Sequence, residues 1–142
     1  MSVTERFQDN PSGAITDTQH QKQWLPKDSW QDLGKWSTFK DARAYVLLMN
    51  QVYAGGFSDW RLPTLEDVEQ LYDPERIQKD WEGKEVHIHN LFVTKCAAFL
   101  WTSDENDQGQ ARRVNLRDGS SEFVDKTEQE HMATRLVRDI KN

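Results

Sequence analysis

Apolar positions recur at Phe39, Ala42, Tyr45, Val46, Met49 and Val52. This is the i, i+3, i+4, i+7 spacing of a helix with one buried face. Thr38 stands where an N-cap belongs, with Asp41 three residues on, and Gly55-Gly56 supplies a stop after Ala54. The spacing therefore predicts a helix over residues 39–54. A second helix is predicted from Thr64, with Leu65, Val68, Leu71 and Tyr72 as its apolar stripe and Asp73-Pro74 at its end. Before these helices, residues 15–18 and 23–25 read as short strands around a polar turn. Trp30, Leu33 and Trp36 lie three apart, in a loop or one short helix.

The pattern changes after the second helix. Residues 75–97 carry no clear period and read mostly as loop. Residues 97–102 form an apolar run short enough for a buried strand. Residues 112–117 and 120–125 alternate around Asp118-Gly119, a two-residue hairpin signal. That turn predicts Arg117 opposite Ser120 and Val114 opposite Phe123. Alternation returns from Ala133 to Ile140 and predicts a last strand. Strands, two helices, a long loop and an antiparallel set of strands make an α+β pattern.

Composition narrows the function. Val, Ile, Leu and Phe supply about a fifth of the 142 residues, but six Trp, six Phe and three Tyr can fill a small dense core. The expected organisation is one domain over residues 1–142, with 1–12 as a polar extension. No apolar run approaches a membrane span. No signal peptide is visible at the start. A net charge of −6 argues against a nucleic-acid partner. The lone Cys96 allows neither an internal disulfide nor a paired-cysteine metal knuckle.

Candidate chemistry is sparse. His87 and His89 share one face of an extended segment and can point at one metal, yet two imidazoles fall short of a zinc site. Asp80, Glu82, Glu85, Cys96 or His131 would have to complete it. Residues 104–109, starting at Asp104, have a calcium-loop look but lack the closing bidentate Glu of an EF-hand. A polar turn is the simpler reading. Arg112, Arg113 and Arg117 offer an anion site on the hairpin or plain solubilising charge. Asp59-Trp60-Arg61 reads as a buried hydrogen-bonded corner. Trp81 is the strongest single anchor for a partner, because exposed Trp is enriched at binding hot spots.

Several segments resemble, in order, a known family. Gly56-Phe57-Ser58-Asp59-Trp60-Arg61-Leu62-Pro63-Thr64 is similar to the signature "GGxxDWRLPT" of the family named after the C-terminal domain of the collagen-like adhesin Lcl. Residues 15–18 with Trp24, 42–46, 100–103, 114–119 and 135–138 are similar to its other pieces. The resemblance implies a C-type lectin-like fold, with two helices flanking twisted antiparallel sheets and the termini together. It also implies a binding module; members are mostly extracellular or surface proteins, and some bind glycans. Two family cysteines are replaced here by Val46 and Leu136, which the resemblance places side by side. An apolar pair there, with no visible signal peptide, fits a reducing compartment and a cytoplasmic location.

The reading that follows is a non-catalytic module that binds an unidentified protein or small ligand and carries no cofactor. It binds through loops 75–97, 103–111 and 126–131, with Trp81, His87, His89, Asp104, Arg112 and Arg113 as tentative contacts. The alternative is a metal-binding protein or metal-dependent enzyme using His87 and His89. The oligomeric state is not legible.

Overall fold

The computed structural model describes residues 6–141. Strands β1 (Phe7–Asp9), β2 (Ile15–Asp17) and β3 (Lys22–Trp24) form an antiparallel meander, and β10 (Val137–Asp139) completes the sheet in the order β1-β2-β3-β10. The first and last described strands thus share one sheet. A second sheet has the order β8-β7-β6-β9, from β6 (Phe99–Glu105), β7 (Gln110–Asn115), β8 (Ser121–Asp125) and β9 (Met132–Ala133). It is antiparallel except where β9 runs parallel to β6. Short strands β4 (Gln78–Lys79) and β5 (Glu85–Val86) pair within the long loop. Helices and sheets of this kind make an α+β fold.

Three helices are capped by their own sequence. Asp28, Thr38 and Thr64 each close a capping box at the start of α1 (Ser29–Leu33), α2 (Phe39–Gln51) and α3 (Leu65–Leu71). Helix α2 stops three residues short of the expected end. Val52 is its C-cap and is 61% exposed rather than buried. A separate helical turn over Ala54–Gly56 follows, entered through Tyr53 at a positive φ of 50°.

The inner strands of the second sheet, β6 and β7, are covered on both faces. Leu100 and Val114 pack on one side with Val68 and Leu71 of α3. Trp101 and Ala111 pack on the other with Phe39 and Ala42 of α2. The rest of α2's inner face, Tyr45, Val46 and Met49, meets a cluster holding Trp60 and Leu136. Val46 and Leu136 therefore share one apolar cluster, as the family resemblance implies.

Three expectations need correction. Within the supposed extension 1–12, Phe7 is a core residue at 4% exposure in β1; residues 1–5 lie outside the described ones. The hairpin pairs Val114 with Ser121 and Arg112 with Phe123, a two-residue slip from the expected register. Leu116 is fully buried, so the tip must be a longer 116–119 turn that lets it reach the core. Gly119 N–H closes that turn on Asn115 O at 2.7 Å. Gly119 has φ 79°, and a Cβ there would meet the Tyr72 ring at 2.9 Å. Third, the last strand is interrupted. Residues 132–137 are all buried, because the chain passes from β9 in one sheet to β10 in the other through the interior.

That interior stretch is tied down by polar contacts. Ser29 N–H donates to Thr134 O at 2.8 Å, and Thr134 N–H donates to Ser29 Oγ at 3.0 Å. Arg135 is fully buried. Its Nη1 donates to Leu25 O and Pro26 O at 3.1 and 2.6 Å, and its guanidinium lies 4.8 Å from the Phe92 ring centre.

The Asp59-Trp60-Arg61 corner is structural. Trp60 is buried, and its indole N–H donates to Ala54 O at 2.7 Å. Arg61 joins two elements: Nη1 donates to Asp67 at 2.6 Å on α3, and Nε and Nη2 donate to Asp139 on β10. Asp59 pairs with Arg138 at 2.6 Å. Burial works to raise the Asp67 carboxyl, but hydrogen bonds from Arg61 and Lys22 outweigh it, and its pKa falls to about 2 from 3.8. A depressed carboxylate stabilises the fold above its ordinary pKa and loses that contribution as the proton binds. Acidification from about pH 4 to about pH 2 should therefore remove about 2 kcal/mol at this one site. Urea titrations across that window check it. An Asp67→Asn variant that loses as much stability on acidification as the unaltered protein would contradict it.

Candidate functional site

An open groove of about 1080 Å³ lies between α2 and the edges of both sheets. One wall is α2, through Lys40, Arg43, Ala44 and Leu47. Leu62 and Thr64 follow the Trp60 corner, Ser103 comes from β6, and Lys126 and Thr127 come from the turn after β8. Phe39, Val46 and Leu62 give the groove apolar lining. Cations stand around it.

Those cations are of two kinds. Arg61 is held by Asp67 and Asp139, and Lys126 pairs with Glu105 while lying 5.4 Å from the Phe39 ring centre. Lys40 and Arg43 are both exposed, and Arg43 stands near enough to Glu105 to help Lys126 lower its carboxyl below the ordinary range. Helix geometry explains their position. Lys40, Ala44, Leu47 and Gln51 recur at i, i+4, i+7 and i+11, so they form a stripe on the side of α2 away from the core. The groove has the features of a ligand site: a concave apolar surface with a few polar groups at its edge.

The residues singled out in the sequence lie elsewhere. Trp81 is half-buried against other rings. Trp30 and Trp36 stack at 4.8 Å, Trp81 meets Trp36 edge-on at 5.2 Å, and His131 sits 4.5 Å from Trp81. This cluster knits α1, the 80–83 turn and the 126–131 turn together. His87 and His89 are engaged separately. His87 Nδ1 donates to Arg76 O at 2.8 Å and its ring meets Tyr72; His89 Nδ1 accepts from Leu91 N–H at 3.1 Å and its ring meets Phe7. Among the described residues no three His, Cys, Asp or Glu side chains gather to hold a metal ion, so the metal reading gains no support.

Asp104 belongs to β6 rather than to a loop, and its N–H donates to Thr102 Oγ1 at 3.3 Å. The turn after it closes on Asn106 Oδ1, which accepts from Gln108 and Gln110 N–H. Arg112 stacks on Phe123 at 4.5 Å. Arg113 stacks on Phe99 at 4.1 Å and pairs with Glu122 at 2.6 Å. Arg117 reaches Asp80 and Glu82, both at 2.7 Å. Cys96 is buried, and burial pushes its thiol up to about 12, which keeps it protonated and unreactive. Of the three expected loops, 103–111 supplies Ser103 and 126–131 supplies Lys126 and Thr127 to the groove. The α2 side of the groove was missed. Its signal was present in Leu47, an apolar residue on the helix side opposite the predicted buried face.

The family model of the Lcl C-terminal domain matches residues 13–138, nearly the whole described chain. The chain belongs to this family. A comparison with curated proteins finds no match. Membership in the Lcl C-terminal domain family suggests a non-enzymatic domain. The matched range takes in all three helices, the second sheet and the first sheet apart from β1 and the last residue of β10, so the groove is formed within this Lcl C-terminal domain almost entirely; Asp139 is the one lining residue beyond the match.

Proposed function

We propose that the chain is a non-catalytic binding module, folded as one C-type lectin-like domain, which takes a ligand or a partner segment in the α2 groove. The groove itself carries the reading: an apolar hollow with exposed cations at its edge, in a protein of net charge −6. A concave apolar surface with a few polar groups at its edge is the usual form of a ligand site. The lectin-like reading is supported by the first and last described strands, β1 and β10, lying in one sheet, and by α2 and α3 flanking the second sheet. A reducing, cytoplasmic setting is supported by the apolar Val46–Leu136 packing where similar chains carry cysteines, and by the buried free thiol of Cys96.

The test uses anilinonaphthalene sulfonate, a probe with an apolar body and one anionic head. It should bind with saturable fluorescence enhancement. Leu47→Glu alters the groove wall at a position 66% exposed, so folding should survive, while binding should weaken by at least about ten-fold. Ile77→Glu, 55% exposed and outside the groove, serves as control. Equal binding by both variants would contradict the assignment.

A further inference from the structure

We propose that Arg135 and Asp28 hold one internal water molecule, which bridges an edge of the guanidinium to the carboxylate. The site lies in the interior, outside the groove lining, and stands independently of the groove reading. Two observations carry it.

The first is an edge of Arg135 with nothing to donate to. A guanidinium carries five N–H donors in a fixed plane. Nη1 donates to Leu25 O and Pro26 O at 3.1 and 2.6 Å. Nε and Nη2 have no hydrogen-bond partner among the described residues, although the side chain is fully buried. These two nitrogens present parallel N–H groups along one edge. The same fork grips a carboxylate elsewhere in the chain: Arg6 donates from Nε and Nη2 to Asp17 at 3.1 and 2.9 Å. A charged fork buried without an acceptor is strongly disfavoured, and internal waters sit where buried polar groups would otherwise stay unpaired.

The second is a gap that direct contact cannot close. Asp28 Oδ2 lies 4.0 Å from Nη2, beyond hydrogen-bond reach, and neither side chain is exposed. Both groups are pinned. Asp28 accepts from Gln31 N–H through Oδ1 and from Ala97 N–H through Oδ2, at 2.8 and 2.7 Å. Arg135 is fixed by its two carbonyls and by the Phe92 ring at 4.8 Å. One oxygen placed beside the gap reaches Nη2 and Oδ2 at about 2.8 Å each. The occupant must accept from the fork and donate to the carboxylate, which water does. An anion would face the Asp28 charge, and a cation would face the guanidinium. The bridge ties the crossing between the two sheets to the start of α1. With both side chains buried, the water leaves only when that crossing opens.

A high-resolution crystal structure of the unaltered protein, grown in sodium bromide, tests the proposal. An oxygen peak should stand at hydrogen-bond distance from Arg135 Nε and Nη2 and from Asp28 Oδ2, with no bromine anomalous signal on it. Oxygen-17 magnetic relaxation dispersion counts long-lived waters in solution, and a chain of 142 residues holds about five. Arg135→Met should lower the dispersion amplitude by about a fifth. Arg76→Met, at an exposed position, should leave it unchanged. No oxygen peak at the fork, a bromine signal there, or an equal amplitude in Arg135→Met and the unaltered protein would each overturn the proposal. Should Arg135→Met fail to fold, the crystal structure decides alone.

Discussion

Asp28→Ala is expected to lower the unfolding free energy by about 3–5 kcal/mol. Three losses coincide at this buried carboxylate. Its Oδ1 caps α1 by accepting from Gln31 N–H at 2.8 Å, and its Oδ2 accepts from Ala97 N–H at 2.7 Å. An Ala leaves the helix start uncapped and one buried N–H unpaired, each costing about 1 kcal/mol or more. The third loss is electrostatic. Arg135, fully buried, has Asp28 as its acidic neighbour, with Nη2 4.0 Å from Oδ2. At that separation the hydrogen bonds hold Asp28 more firmly than the ion pair does. Burial raises the carboxyl above its ordinary range, although Arg135 and the N–H donors pull it down. Urea denaturation of the single variant and of Asp28→Ala/Arg135→Met measures the coupling. The double variant should lose less than the sum of the two single losses, because it removes the stranded charge. A single-variant loss below about 1 kcal/mol would show that the site is more hydrated than its burial indicates.

Trp101→Ala is the second large loss, again about 3–5 kcal/mol. Trp101 is fully buried, donates its indole N–H to Ser37 O at 3.0 Å, and meets Phe39 edge-on at 5.5 Å. It is the seat on which the first turn of α2 rests, with Met132 and Ala111 beside it. Truncation leaves a large cavity beneath Phe39, which also lines the groove. Calorimetry should show a markedly lower melting temperature, and sulfonate binding should weaken as α2 loses its position. Full binding with an unchanged melting temperature would separate the groove from this seat.

Local rules were readable in the sequence wherever neighbouring residues settle the structure. Thr38, Thr64 and their partners three residues on fixed the starts of α2 and α3. The apolar period gave the inner face of α2 correctly from Phe39 to Met49. Long-range packing was not readable. The hairpin register turned on the demand of Leu116 for the core, which overrode the Asp118-Gly119 turn signal. Phe7 joined the core through pairing with β2, a partner that its own polar neighbours do not announce. The broken last strand depended on two sheets that do not exist until the chain folds. Trp81 illustrates the same limit for the site. As a single residue it looked like an exposed anchor; the chain brings Trp30 and Trp36 to it from one segment and His131 from another. The groove escaped notice because its walls come from α2, the 61–64 segment, β6 and the 126–127 turn, whose meeting no local pattern encodes.

The central claim is that binding takes place in the α2 groove. Amide proton–nitrogen NMR spectra recorded during titration with anilinonaphthalene sulfonate test it most directly. The account predicts that the shifted signals gather in residues 38–47, 61–64 and 126–127, with Ser103 among them. Shifts centred instead on Trp30, Trp36, Trp81 and His131, with the α2 signals unmoved, would contradict it.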